Sequence, residues 1–315
     1  MKYIKMSRTD LKPSVICMGS VAQYDGSPLL SFYDEYVERG GNCFDTANLY
    51  GKDLTGTNSH ERCLGGWLKS KPPSFRDSLI ICSKGGHPAD GDYGAHRLSR
   101  EDVAADLDES LEGLGIETID LYWLHRDDPG RPVGEMLAYL NEFARQGKIR
   151  YFGVSNWTAP RMREAEAYAQ KNGLGGFVAN QPQWSCAAAK QEALDDTTCV
   201  TMDADAFRFH SETGLAVIPY TSNARGYFQK LLSGIPLDDN LKATFDTPQN
   251  RSRFEILKTA AAERNCTVSQ AALAFLLHQP FPVIPIVGCS SREQLLESIS
   301  AVDIALDGET VNKLR

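Results

Sequence analysis

The segment LIICSKGGHPADGDYGAHRLSREDVAADLDESLEGLGIETIDLYWL, residues 79–124, begins and ends on a short apolar run and carries an amphipathic stretch between them. The runs 79–82 and 120–124 lack the period-two alternation of a half-exposed strand, which marks strands covered on both faces. Between them Val103, Leu107, Leu111 and Leu114 fall at i, i+4, i+8 and i+11, the single buried stripe of a surface helix. Ser99 and Asp102 give that helix a capping-box-like start. Two fully covered strands joined through a helix form the unit of a parallel sheet.

The unit recurs. Further runs of strand type lie at 15–18, 42–44, 151–154, 177–179, 216–219 and 283–287, which makes eight. Val133, Met136, Leu137, Leu140, Phe143 and Ala144 mark a helix that stops at Gly147. Pro160 suits the first turn of the next helix, and Thr267 with Gln270 opens another that Pro280 ends. Eight such units predict an α/β fold of the closed (β/α)8 TIM-barrel type, with residues 1–315 forming one domain. The rival, an open doubly wound sheet, lacks its fingerprint, because VICMGSVAQ at the first run carries one glycine where GxGxxG is needed. Residues 1–12 are expected to form a hairpin closing the lower end. Segments 187–214 and 225–253 exceed what one connection needs, and are expected as long loops over the C-terminal mouth.

Composition narrows the function classes. With 315 residues, 42% hydrophobic and 23% charged, the chain can bury a large core. Its net charge of −8 and lack of basic blocks argue against nucleic acid or an anionic membrane as partner. MKYIKMSRTD has no apolar signal core and no run approaches roughly 18 apolar residues, so a cytoplasmic location is expected. Cysteines 17, 43, 63, 82, 186, 199, 266 and 289 show neither a CxxC pair nor zinc-ligand spacing, and are read as reduced thiols with no metal role. The sequons at Asn156, Asn250 and Asn265 are discounted for an intracellular chain.

Four ionisable residues sit at or just past strand ends: Asp45 and Tyr50 in NCFDTANLYG, Lys84 in IICSKGG and His125 in LYWLHR. In a barrel these ends converge on one mouth. A phenol is a poor acid at neutral pH, and an ammonium within roughly 4–6 Å makes it a better one. Lys84 and Tyr50 supply such a pair. An ammonium in an apolar mouth needs a carboxylate to stay charged, which Asp45 provides. His125 is placed to hydrogen-bond a substrate carbonyl. The set is a proton donor with its tuning groups, lacking a hydride source.

These residues resemble the aldo-keto reductase superfamily. Its DTAxxYG pattern stands as Asp45-Thr-Ala-Asn-Leu-Tyr50-Gly51, followed by SHERCLGGWL where SExxLGxxL is common. Lys84 and His125 match its strand-three lysine and strand-four histidine. The likeness continues through GVSN (153–156), NQPQWS (180–185), IPYTS (218–222) and IPIVGCSSREQLLES (284–298), covering nearly the whole chain. It implies reduction of aldehyde or ketone carbonyls, possibly sugar-derived ones, with Tyr50 as general acid and a nicotinamide cofactor across the mouth. NADPH is favoured over NADH. Ser155, Asn156 and Gln181 are implied for the carboxamide, and Trp184, standing where the family usually has Tyr, for stacking on the nicotinamide. Gly19, Ser20, Tyr220, Thr221, Ser222 and Arg225 are implied for other parts of the cofactor. At the adenosine end come Gly288, Ser290, Gln294, Glu297 and Ser298, although Gln294 also suits a capping box with Ser291. Ser291 replaces a frequent basic residue there, which Arg292 is expected to offset. Ser298 replaces a frequent Asn, and TSNARGYFQK departs from the common SPLGxGxLTGK. Tyr24, His87 and Trp157 are candidates for the substrate pocket.

Two other readings share these residues. One is a cofactor-holding, redox-sensing regulator with weak turnover, as in potassium-channel β subunits of the superfamily. The other is a sugar lyase or isomerase with a retained nicotinamide. GxSxG and HExxH are both absent, which leaves no support for a serine hydrolase or a zinc protease. The sequence does not fix oligomeric state.

Overall fold

Eight parallel strands form the sheet: β1 (Cys17–Gly19), β2 (Cys43–Asp45), β3 (Ile80–Gly85), β4 (Ile119–Leu124), β5 (Ile149–Ser155), β6 (Ala179–Gln181), β7 (Ala216–Val217) and β8 (Ile286–Val287). The computed structural model describes residues 1–20, 29–88 and 92–315. Strand order is β7-β6-β5-β4-β3-β2-β1-β8. The ring closes where Val217 pairs with Val283, Val217 N–H donates to the Pro282 carbonyl, and Ile284 N–H donates back to Val217. The expected (β/α)8 barrel is therefore the observed fold.

Each predicted run yields a strand within a few residues, and the helices follow the periodicity. Ser99 Oγ accepts from Asp102 N–H at the start of the helix Arg100–Leu114, and Gly115 ends it in the left-handed region. Thr267 and Gln270 form a reciprocal capping box for the helix Val268–Leu277. The hairpin expected over residues 1–12 extends to residue 15, through the Tyr3–Ser14 bridge and the bonds Ile4 N–H to Pro13 and Met6 N–H to Leu11. Met6 and Leu11 are buried with the barrel-interior side chains Cys17, Cys43, Cys82, Leu121 and Ala179. The two long segments differ from expectation. Segment 187–214 contains the helix Ala204–Thr213, and 225–253 folds into the helices Tyr227–Leu232 and Asp239–Phe245 and the start of Pro248–Glu263. Asp203, Asp238 and Thr247 each accept a backbone N–H at these starts, satisfying donors that a loop would leave to water.

Alternation along the strands sets what enters the barrel. Met18, Phe44, Ile81, Tyr122 and Leu124 face the helix layer, packing with Leu64, Val103 and Leu107, while Cys17, Cys43, Cys82, Leu121 and Trp123 fill the interior. Fully burying side chains of this size stabilises by about 1.5–3 kcal/mol each. Trp123 occupies the centre because Gly153 beside it has no side chain: a Cβ there would lie 2.6 Å from the Trp123 ring and 2.6 Å from the Ala179 carbonyl. Continuing the same parity by one step brings Asp45, Lys84, His125, Ser155 and Gln181 to the C-terminal mouth. Among the described residues no helix is long and apolar enough to cross a membrane, and no cluster could hold a metal ion. Cys17, Cys43, Cys82, Cys186, Cys199, Cys266 and Cys289 are free thiols.

Candidate active site

Lys84 is 1% exposed, and its ammonium donates to Asp45 Oδ2 at 2.5 Å, to the Thr46 carbonyl at 2.8 Å and to Tyr50 Oη at 3.2 Å. Burial by itself would drive the proton off. The Asp45 carboxylate and the Tyr50 oxygen overcome that penalty and hold the amine above its ordinary value, so it stays charged. Asp45 Oδ1 accepts from Gln181 Nε2 at 3.0 Å, so both carboxylate oxygens have partners. Tyr50 is half-buried, on a turn in which its N–H bonds to the Ala47 carbonyl. Gly51 follows at φ 88°, and a Cβ there would meet Ser59 Oγ at 1.9 Å, which explains the glycine of the DTAxxYG pattern.

His125 meets Tyr50 edge-on, with ring centroids 5.8 Å apart, and His87 at 4.7 Å. Burial, then Arg126, His87 and Lys84, push the imidazole well below its usual range, so it is neutral at pH 7. Its Nδ1 is buried without a hydrogen-bond partner. One mouth therefore holds a fixed ammonium, a phenol bonded to it and a neutral imidazole with an unsatisfied nitrogen. That arrangement suits proton delivery to a polarised oxygen.

The amide-rich side of the mouth comes from β5 and β6. Ser155 Oγ donates to the Gln181 carbonyl at 2.9 Å, and Asn156 Nδ2 donates to Ser155 Oγ at 3.0 Å and the His125 carbonyl at 3.3 Å. Asn156 sits at φ 61°, a conformation Asn tolerates better than most residues. Its Oδ1 accepts from Tyr220 Oη at 2.7 Å and from Val200 N–H at 3.0 Å. Ser20 N–H donates to the Asp45 carbonyl, and Gly19 pairs with Asp45. Ser222 is buried and donates to the Pro219 carbonyl. Thr221, Ala224 and Arg225 all have positive φ, at 55°, 48° and 54°, so the segment that departs from a glycine-containing pattern keeps left-handed turns with bulkier residues. Arg225 donates to Asn240.

Beyond β8, Ser291 caps the helix Arg292–Ser300. Gln294 Oε1 accepts from Ser290 N–H and Oγ, one residue off a true capping box. Glu297 accepts from Thr267, Ser298 is buried, and Gly288 has open space around it. Arg292 is forked onto Glu35 at 2.6 and 2.7 Å.

Two expectations are corrected. Trp184 does not face the amide cluster: its ring stacks on Phe281 and meets Phe207 and Phe275 edge-on, because it points from the chain past β6 toward the helix layer. Trp157 is 1% exposed, donates Nε1–H to the Arg126 carbonyl and packs on Phe177, so among the described residues its ring is covered by protein. His87 does border His125 and Lys84 around a small space of about 30 Å³. Tyr24 lies outside the described residues. One group that sequence reasoning passed over is Arg126, which holds the loop after β6 by donating to Asp196 Oδ2 at 2.6 Å and Thr198 Oγ1 at 2.8 Å. Its signal was a charged residue directly following a strand-end histidine.

The sequence model of the Aldo/keto reductase family matches residues 17–315. The chain is 28% identical to the uncharacterized oxidoreductase YrpG of Bacillus subtilis, covering 100% of this chain and 95% of that protein. It is 29% identical to norsolorinic acid reductase B of Aspergillus parasiticus, covering 89% and 72% respectively. The crystal structure of a thermostable aldo-keto reductase, Tm1743, in complex with the inhibitor epalrestat superposes with a TM-score of 0.72 at 23% identity, covering 100% of this chain and 98% of that one. A family match over nearly the whole barrel, meeting a mouth that groups Asp45, Tyr50, Lys84 and His125, places this chain in the aldo/keto reductase family of oxidoreductases.

Proposed function

We propose that the protein reduces aldehyde and ketone carbonyls, sugar-derived ones among them, to alcohols with a nicotinamide cofactor, and that Tyr50 is the general acid. The observation carrying this reading is the Lys84 ammonium held between Asp45 and Tyr50 Oη. The carbonyl oxygen lies against Tyr50, which gives it a proton, while the neutral His125 hydrogen-bonds and orients it. Lys84 stabilises the phenolate that remains, and Asp45 keeps Lys84 charged throughout. The residues fit a nicotinamide: Gln181 bonds Asp45, Ser155 bonds the Gln181 carbonyl and Asn156 bonds Ser155, a chain of amide and hydroxyl groups, and Tyr220 supplies the ring-bearing neighbour that Trp184 does not. When bound there, the reduced cofactor supplies the hydride.

NADPH is the cofactor the family resemblance favours. The Arg292–Glu35 fork supports NADH as a second reading, because the guanidinium expected near the ribose already carries a carboxylate. A panel of aldehydes, ketones and keto-sugars, followed by loss of NADPH or NADH absorbance, tests both points. Turnover with NADPH supports the main reading, and Glu35→Gln is expected to raise the NADPH preference. A flat panel from protein that retains its cofactor tightly would instead favour a redox-sensing role.

A further inference from the structure

Tyr50 and Lys84 stand on separate segments, so their 3.2 Å contact depends on what fixes one segment against the other. The helix Arg100–Leu114 bonds to both. Asp106 accepts the Gly86 N–H at 2.8 Å and the Arg97 fork at 2.9 and 3.2 Å, which ties down the chain two residues past Lys84. One turn further along, Glu109 takes hold of the Tyr50 turn from both sides. Its Oε2 accepts from Asn48 Nδ2 at 3.0 Å and from Lys52 Nζ at 2.6 Å, the residues two before and two after Tyr50. Lys52 Nζ also donates to Asn48 Oδ1 at 2.6 Å, which closes a triangle spanning the turn. Asn48 N–H donates to the Lys84 carbonyl at 3.0 Å, so one residue reaches both segments. Residues three apart share a helix face, and Asp106 and Glu109 thereby set both partners from a single rigid element. The Lys52–Glu109 pair is partly exposed and by itself adds little to stability. Burial opposes the Glu109 charge, but the bonds from Lys52 and Asn48 outweigh it and hold the carboxyl below its ordinary range, so it accepts as a carboxylate at pH 7. Of the three Lys84 bonds, at 2.5, 2.8 and 3.2 Å, the one to Tyr50 is the longest and the first that a displaced turn would lose.

We propose that Glu109 is a positioning residue for the reduction: acting through Asn48 and Lys52, it holds the Tyr50 hydroxyl within reach of the Lys84 ammonium. The inference rests on the reading of Tyr50 as general acid. Position and charge act here with opposite sign. A nearby carboxylate disfavours phenolate, so losing that charge alone makes the phenol a stronger acid, whereas losing the Lys84 contact makes it a weaker one.

The test joins steady-state kinetics to a titration of the Tyr50 phenol, followed by 13C NMR of the full chain labelled at tyrosine Cζ and assigned with Tyr50→Phe. Glu109→Ala is expected to lower kcat by roughly tenfold to a hundredfold, with KM and cofactor affinity near wild type, and to move the Tyr50 titration to higher pH. The ionisable groups around the phenol, Lys84 with Asp45, His60, His125 and Tyr220, are the same in every variant. Lys52→Met is expected to reproduce the loss in kcat, and the double variant to add little to it. Glu109→Gln keeps an acceptor for both donors and is expected to recover most of the activity, which separates lost position from a folding defect. Wild-type kcat in Glu109→Ala, or a Tyr50 titration that moves to lower pH, overturns the inference while a slow Tyr50→Phe leaves the general-acid reading standing. Full turnover in Tyr50→Phe overturns that reading itself.

Discussion

Asp45 at the mouth and Asp120 near the opposite end of the barrel are both buried beside cations, yet only one of them borders groups able to react. Asp120 accepts from Arg76 at 2.6 Å, from Arg150 at 2.7 Å and from Ile81 N–H at 2.9 Å, and Arg150 runs on to Asp10 of the hairpin. Arg76, Arg150 and the Ile81 N–H are all engaged by carboxylates of this network. Asp45 fixes Lys84, and Lys84 in turn bonds Tyr50, which is half-buried and meets His125 edge-on. The histidines repeat the contrast. His210, behind β6, uses both ring nitrogens, with Leu215 and Asn180, whereas Nδ1 of His125 has none. Saturation makes structure, and an orderly shortage of partners makes a site. It also fits the division of a barrel into a stabilising lower end and a reactive upper one.

The largest effect that would break this contrast is on chemistry. Tyr50→Phe is expected to lower kcat by about 10²–10⁴-fold while cofactor affinity and thermal stability stay near wild type, read by steady-state kinetics and cofactor titration. Unchanged turnover removes the upper end's claim. The lower end should show the reverse. Asp120→Ala leaves Arg76 and Arg150 facing each other, and is expected to cost about 3 kcal/mol in urea unfolding with kcat per folded molecule preserved. A drop in kcat with stability intact would contradict the division.

A smaller effect comes from pH. Burial holds His210 at about 4 in the folded chain, against an ordinary value of about 6.5, so between those values the unfolded chain takes up a proton that the folded one refuses. Stability therefore falls as pH drops, by about 2 kcal/mol between pH 7 and pH 5 from this residue. His210→Gln should flatten that part of the unfolding profile. The smallest effect sharpens the boundary of the mouth. Asp196→Asn loosens the loop pinned by Arg126, and is expected to weaken cofactor binding by roughly fivefold, about 1 kcal/mol, with kcat little changed. Tighter binding would show that the loop obstructs the site.

Much of this was legible before any coordinates. The uninterrupted runs at 79–82 and 120–124 gave buried parallel strands, and Ser99 and Thr267 marked helix starts that their side chains do cap. Parity along each strand then carried Asp45, Lys84 and His125 to one end. The misreadings share a cause. Trp184 and Trp157 lie just past strand ends, where alternation stops and the backbone turns, so nothing in the spacing tells which way a ring points. The segments 187–214 and 225–253 look like loops in sequence because short capped helices lack the repeated apolar stripe of longer ones.

Sequence alone determined the eight units, their order and the residue types gathered at the mouth, because period and capping are local properties of the chain. Tertiary structure decided which polar groups were left unsatisfied. Lys84 between Asp45 and Tyr50, Gln181 on Asp45 and the orphaned nitrogen of His125 depend on atoms tens of residues apart or more. Desolvation, which gives those groups their chemistry, exists only once the barrel has closed around them.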